Sequence, residues 1–377
     1  MLNENQNIRV CHVVNSVGEA EVVADIAVAI TRYNYVEADI LSWFKADGFD
    51  NDHIVNVSCV DAPNTVLGID KNTYTKARNN LKQYDIIQTH HNHSGIYAKI
   101  IGLRNGIPVI STEQNNHIGF TFKGRLANGI TNAWADQITC VSQSVYESFK
   151  NWERFLIDDK NVSIIYNGVD VERIEESKHV DWSVRDEIGV KKEVVLLGTA
   201  GMLTKQKAHD TLIEALSRAN KKADEEIHLV IAGDGELRDY LENIAEKEGM
   251  SRSVHFLGLI SRKKTYRMMD ECDIYAMPSR WEGFSGAAVE AMWLGSACIF
   301  SDIGEFKYPY EGAALFHSVD DAEALSEEII KLTENPNKRK SIGEKARERA
   351  KDYSAESISK EYVNLYEKLL SQGKKLN

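Results

Sequence analysis

Short runs of β-branched and other apolar residues alternate along this chain with amphipathic stretches, and that alternation predicts parallel strands covered by helices on both faces of a sheet. In the first half, strands are expected at Ile8 to Val14, Ala38 to Leu41, Ile86 to Thr89, Val109 to Ser111, Gln137 to Val141 and Val162 to Tyr166. Helix-like stretches lie between them at Glu21 to Tyr33 and Ile96 to Arg104. The pattern then starts again. Val194 to Ala200, His228 to Ala232, Val254 to Phe256, Ile274 to Met277 and Ala297 to Phe300 are the strands of the second half, with Asp210 to Arg218 and Leu237 to Glu248 among its helices. The expected class is α/β, with two Rossmann-like, doubly wound parallel-sheet domains. Val171 to Asp186 forms the boundary; it is charged and poor in glycine, which suits a helix or an extended connection better than a floppy linker. Open parallel sheets bind ligands at the carboxyl ends of their strands, and two sheets facing across a cleft can close and exclude water.

Composition narrows the partners. At 377 residues, with 43% hydrophobic and 27% charged residues, the chain has enough length and apolar content for two ordinary cores. A formal net charge of −12 argues against nucleic acid as a partner. No apolar run reaches the roughly 20 residues of a membrane span, and the N-terminus lacks the parts of a signal peptide, so a cytoplasmic protein is expected. Peripheral association with the inner face of a membrane stays open, because a few exposed aromatic or basic residues suffice for it. Five cysteines with no short paired spacing read as reduced filler.

The candidate chemistry begins where Pro278-Ser279-Arg280-Trp281-Glu282-Gly283-Phe284-Ser285-Gly286 runs into Ala287-Ala288-Val289-Glu290. Gly283 and Gly286 let the backbone approach an anion, and the first turn of a following helix offers unpaired N–H groups and a positive dipole end. Such a loop needs no metal. A carboxylate at Glu290 can accept from adjacent ribose hydroxyls, and one at Glu282 from hydroxyls of a sugar. Read by themselves, the same two glutamates also fit ordinary carboxylates near a helix N-terminus. Lys207, in Gly201-Met202-Leu203-Thr204-Lys205-Gln206-Lys207-Ala208-His209-Asp210, reads either as a phosphate contact or as a solvated loop lysine. The histidine-rich segments Thr89 to Gly95 and Ser111 to His117 carry no carboxylate spacing that completes a metal site.

Several words in order carry a resemblance. Ile165-Tyr166-Asn167-Gly168-Val169-Asp170, Val230-Ile231-Ala232-Gly233-Asp234-Gly235, Val254-His255-Phe256-Leu257-Gly258 and Cys272 to Ser279 resemble those of the retaining glycosyltransferases of family 4, which have the GT-B fold. The likeness covers most of the chain. It implies an acceptor-side domain over 1–176, a donor-nucleotide domain over 177–352 and, over 353–377, a helix crossing back to the first. By the same resemblance Glu282 lies near the donor sugar, Glu290 on the donor ribose and Lys207 on the diphosphate. Gly283, Phe284, Ser285, Gly286, Gly201, Gly233, Gly258 and Gly18 belong to the donor-binding loops. Read from their positions alone, Lys205, Arg262, Lys263 or Arg280 can supply positive charge there from another direction. Gln114 stands where related sequences often have histidine, as a neutral donor to the sugar, with His117 as second choice.

Three positions depart from the family pattern. Met202 replaces an expected arginine, Ala208 a glycine, and Glu19 a member of the glycine pair that Gly18 begins. The implied reaction moves a hexose-type sugar from a nucleoside diphosphate sugar to a hydroxyl of a glycan, glycolipid or lipid-linked acceptor with retention of configuration, and it calls for no cofactor and no metal. A same-fold epimerase or hydrolase and a non-catalytic sugar-nucleotide binder are the alternatives. A nicotinamide-dependent dehydrogenase would want Gly-x-Gly-x-x-Gly after the first strand, which Asn15 to Glu21 does not provide. Phe120, Phe122, Lys123 and Arg125 form a candidate acceptor-side or membrane-facing loop, unless the aromatics pack beneath it.

Overall fold

β1 (Ile8–Ser16) is apolar along most of its length because both of its faces are covered; Val10, Cys11, Val13 and Val14 are buried in succession. The structure, a computed structural model, describes residues 7–17, 22–45, 55–63, 71–117 and 120–373. Gly18, with Glu19, lies outside the described residues. Two compact units divide the chain: Met1–Val169 with Ala355–Asn377, and Asp170–Ser354.

In the first unit β1 pairs with β2 (Val36–Lys45) on one side, followed by β3 (Val57–Cys59). On the other side come β4 (Ile86–Thr89), β5 (Val109–Glu113), β6 (Gln137–Cys140) and β7 (Val162–Ile164). All pairings are parallel, in the order β3-β2-β1-β4-β5-β6-β7. The sequence pattern missed β3. The helix Ala355–Gly373 belongs to this unit, where Ile358, Tyr362, Val363 and Tyr366 join the core under β1 and the helix Val22–Ile30.

The second unit repeats the plan. β8 (Val195–Ala200) has β9 (Ile227–Ala232) and then β10 (Val254–Gly258) on one side, and β11 (Ile274–Met277), β12 (Ala297–Ser301) and β13 (Leu315–His317) on the other. In both sheets the strand order therefore reverses beside the first strand, between β1 and β4 and between β8 and β11. Such switch points leave a crevice at the carboxyl ends of the strands. The boundary segment is helical where it begins, at Val171–Glu176, and again at Val184–Ile188, with Asp170 and Ser183 as their N-caps. Val171–Glu176, placed in the first domain by the sequence reading, counts with the second unit.

Candidate functional site

Beyond the end of β8 the chain must turn within a few residues, and it does so against its neighbours. Gly233, at the end of β9, has φ of +140°, and a Cβ there would sit 1.9 Å from the carbonyl oxygen of Gly201. Only a glycine lets those two backbones cross. The Gly233 N–H donates to the carbonyl of Gly258, which ends β10 with φ of +67°. Gly201, Gly233 and Gly258 thus knit the carboxyl ends of β8, β9 and β10 into one floor. Lys207 lies above it, its Cε 3.5 Å from the position a Gly201 Cβ would take.

Lys207 Nζ donates to Glu282 Oε1 at 2.6 Å. Glu282 follows β11, so the pair bridges the two strands flanking the switch point. The carboxylate is 5% exposed and is further held by the Ser279 hydroxyl (2.7 Å) and the Gln206 amide (3.3 Å). Ala208, the position that departs from glycine, has φ of +50° and is fully buried. The left-handed conformation survives there on an L-residue, at a cost of about 1–2 kcal/mol.

Gly283, Phe284 and Gly286 are half-buried around the buried Ser285, and the helix Gly286–Leu294 starts at Gly286. The Ser285 hydroxyl faces Met277 Sδ and makes no cap bond, and the first turn carries no acidic residue. Its N–H groups are left for an anion. Glu290 lies one turn further on. Its Oε1 accepts from Arg262 Nη2 (3.0 Å) and from the Tyr266 hydroxyl (3.1 Å), a second carboxylate held by cation and hydroxyl. Burial first, then the Glu290 charge, pushes the Tyr266 hydroxyl well above its ordinary range, so it stays a donor.

Arg280 turns to other partners. Its guanidinium contacts both Asp210 oxygens (3.2 and 3.0 Å), Asp320 (2.7 Å) and the carbonyl of Lys205. That geometry ties the loop to the helix His209–Lys222. Met202 is 67% exposed.

In the first unit, four polar side chains cross the carboxyl ends of the strands in a line. The Asn167 amide donates to Gln114 Oε1 (2.8 Å), and Gln114 Nε2 donates to His90 Nδ1 (3.1 Å). With Nδ1 accepting, neutral His90 donates from Nε2 to His12 Nδ1 (2.9 Å), which leaves a hydrogen on His12 Nε2, buried and without a partner. Burial, partly opposed by Asp39, lowers the His12 pKa to about 4, and it lowers that of His90 well below the ordinary value. A base depressed in this way is neutral in the fold while the unfolded chain titrates near 6.5. Its stabilising effect is whole above that pH and is lost as the pH falls through about 4. The melting temperature should accordingly drop between pH 6.5 and 4, and less steeply in His12→Gln, whose amide oxygen can still accept from His90. An equal slope in both proteins would place the titration elsewhere.

His117 is enclosed. Its Nδ1 lies 3.0 Å from Glu153 Oε1 and its Nε2 2.9 Å from Glu113 Oε2, with Phe120 and Phe149 stacked against the ring. Carboxylates only accept, so both ring nitrogens donate. Burial raises the Glu113 carboxyl, but His117, Lys99 and Asn132 outweigh it and hold it at about 2. At 1% exposure His117 is enclosed, whereas Gln114 is partly exposed. The sequence reading passed over His12, His90, Asn167 and Tyr266. A lone histidine inside the apolar run of β1 was the available signal. Among the described residues no group of three or more His, Cys, Asp or Glu is placed to hold a metal.

The family described as Glycosyl transferases group 1 matches residues 180–349, and Glycosyltransferase Family 4 matches residues 20–173. An uncharacterized glycosyltransferase of Methanocaldococcus jannaschii is 28% identical over 288 residues, covering 72% of this chain and 69% of that protein. The N-acetylgalactosamine-N,N'-diacetylbacillosaminyl-diphospho-undecaprenol 4-alpha-N-acetylgalactosaminyltransferase of Campylobacter jejuni is 27% identical, covering 55% of this chain and 54% of its own length. Anabaena HepE, solved in complex with UDP, superposes with a TM-score of 0.79 at 18% identity, over 96% of this chain and all of that one.

Proposed function

This chain, matched by those two families over residues 20–173 and 180–349, belongs to the group 1 glycosyltransferases of GT-B fold, and we propose that it moves a hexose-type sugar from a nucleoside diphosphate sugar to an acceptor hydroxyl with retention and without a metal. The observation that carries this reading is the Lys207–Glu282 pair, set across the switch point over the three crossing glycines. A departing diphosphate needs fixed cations and donors, which Lys207 and the uncapped first turn at Gly286 supply. Glu282 then takes sugar hydroxyls. Glu290, already oriented by Arg262 and Tyr266, accepts the two ribose hydroxyls. A leaving-group oxygen receives the acceptor's proton, so no strong base is required. For Gln114, the role proposed is the one the family resemblance implies, a neutral hydrogen-bond donor to the sugar.

UDP-sugars are the first donor candidates, because the HepE neighbour holds UDP and, in a further complex, UDP and glucose. A lipid-linked diphosphate acceptor is favoured by the activity of the Campylobacter relative. Such a reaction runs in the cytoplasm, at the inner face of a membrane.

The test is thermal stabilisation by a panel of UDP-, GDP-, ADP- and TDP-sugars, since a ligand that binds only the folded state raises its melting temperature. One donor class should shift the parent protein. Glu290→Ala is expected to lose most of that shift and to raise the donor KM about 100-fold or more, the worth of two charge-assisted hydrogen bonds. No shift with any nucleotide sugar would overturn the donor assignment, and an unchanged KM would remove Glu290 from the ribose. Product analysis with and without acceptor separates transfer from hydrolysis.

A further inference from the structure

The helix Phe122–Asn132 is built inside out. A surface helix ordinarily turns its apolar stripe to the core and its polar face to water. Here the buried residues are Arg125, Asn128, Gly129, Thr131 and Asn132. Each polar one is held from within: Arg125 by Glu153, Asn128 and Asn132 by Glu113, and Thr131 and both asparagines by the buried ammonium of Lys99. The outward positions are Phe122 (81% exposed), Leu126 (42%) and Ile130 (43%), with Trp134 (39%) one turn beyond. Their four-residue spacing makes a single stripe. The adjoining helix Asn151–Leu156 adds Phe155, 88% exposed, and Leu156.

Burying four ionisable groups, Arg125, Glu153, Glu113 and Lys99, beneath a helix while leaving its large apolar side chains in water is costly in both directions. The arrangement suits a helix whose outer medium is apolar. We propose that this face docks on the surface of a lipid bilayer, with Phe122, Trp134 and Phe155 inserting at the headgroup boundary. Three features favour a bilayer over a protein. The side chains follow one another at four-residue steps along one helix, a line and not a broad patch. Partly exposed as they are, the six offer less than the roughly 800 Å² per partner of a standard protein interface. From Gln114 to Ala135 the chain holds no Asp or Glu, although it carries 57 in all, and the exposed charge on the helix is Lys123. Aromatic and aliphatic side chains with a neighbouring lysine are the makeup of interfacial helices. Among the described residues no helix is long and apolar enough to cross a membrane, so the contact is a surface one. The inference stands apart from the donor site and uses none of its residues.

The test is flotation of the full chain with vesicles of phosphatidylcholine alone and of phosphatidylcholine with phosphatidylglycerol, with no nucleotide present. Binding to both is expected, because apolar insertion drives it and a single lysine adds little. It should fall about ten-fold or more in the double variant Phe122→Ser, Phe155→Ser, at an unchanged melting temperature, as expected for two exposed side chains that lose most of their transfer free energy. Brominated acyl chains should quench a part of the tryptophan emission that disappears in Trp134→Phe. Absence of binding to either vesicle would overturn the proposal. So would binding to anionic vesicles alone that high salt abolishes, and so would a self-association of the parent protein that the double variant loses, since that would assign the face to a second copy.

Discussion

Lys207→Ala is expected to lower sugar transfer about 100- to 1,000-fold at saturating donor while the fold persists, the usual cost of removing one preorganised donor from a developing negative charge. The ammonium stands 2.6 Å from Glu282, so the fold itself holds the two as a pair. Glu282→Ala should cost as much, and the double variant little more than either, because the two act as one unit. A purely structural ion pair would behave otherwise. Removing Lys207 would then leave turnover intact and lower the melting temperature, as an unpaired buried carboxylate costs several kcal/mol. The Ser279 and Gln206 donors that remain on Glu282 soften that penalty, which is why the fold is expected to survive. Donor consumption and melting temperature measured on one preparation decide the matter, and near-normal turnover in either single variant would remove that residue from the mechanism.

Gly233→Ala should be the most damaging single methyl in the second unit, at about 3 kcal/mol or more. Two penalties add: an L-side chain forced to φ of +140°, and a Cβ placed 1.9 Å from the Gly201 carbonyl oxygen. Backbone is in the way and not the tip of a flexible side chain, so relief requires β8 and β9 to part at their ends. Denaturant midpoints for parent and variant measure the loss. A change below about 1 kcal/mol would mean that the loops carrying Lys207 can re-route, and that the floor under the site is soft.

Most of the architecture was legible because fully buried parallel strands are near-continuous apolar runs, and β1, β8 and β9 could be found from that alone. β3 and β13 were not. Each is three residues long, at the edge of its sheet, and carries partly exposed positions, so neither supplies a run or an alternation long enough to register. At the site, Lys207, Glu282 and Glu290 were legible through the words around them. Their partners were not, since Arg262 and Tyr266 reach Glu290 from a helix more than twenty residues earlier in the chain. Gln114 was picked out as a replacement for histidine, yet no local pattern signals that Asn167, His90 and His12 fix its amide. Such lines of hydrogen bonds run across strands, in a direction no local pattern records. The loop at Phe122 reads in the sequence as acceptor-side or membrane-facing, or else as aromatics packed beneath it, and the structure divides it: Phe122 faces out while Arg125 goes in.

The chain leaves the first unit after Val169 and returns to it at Ala355, and there the Ala355 N–H donates to the Val169 carbonyl at 2.8 Å. Exit and re-entry are therefore one place. In topological terms the whole second unit is an insertion at a single peptide position of the first, with its two ends side by side. Recombination at that point exchanges the second unit intact without cutting any strand or helix of its host, so the two units can diverge independently, as replaceable parts.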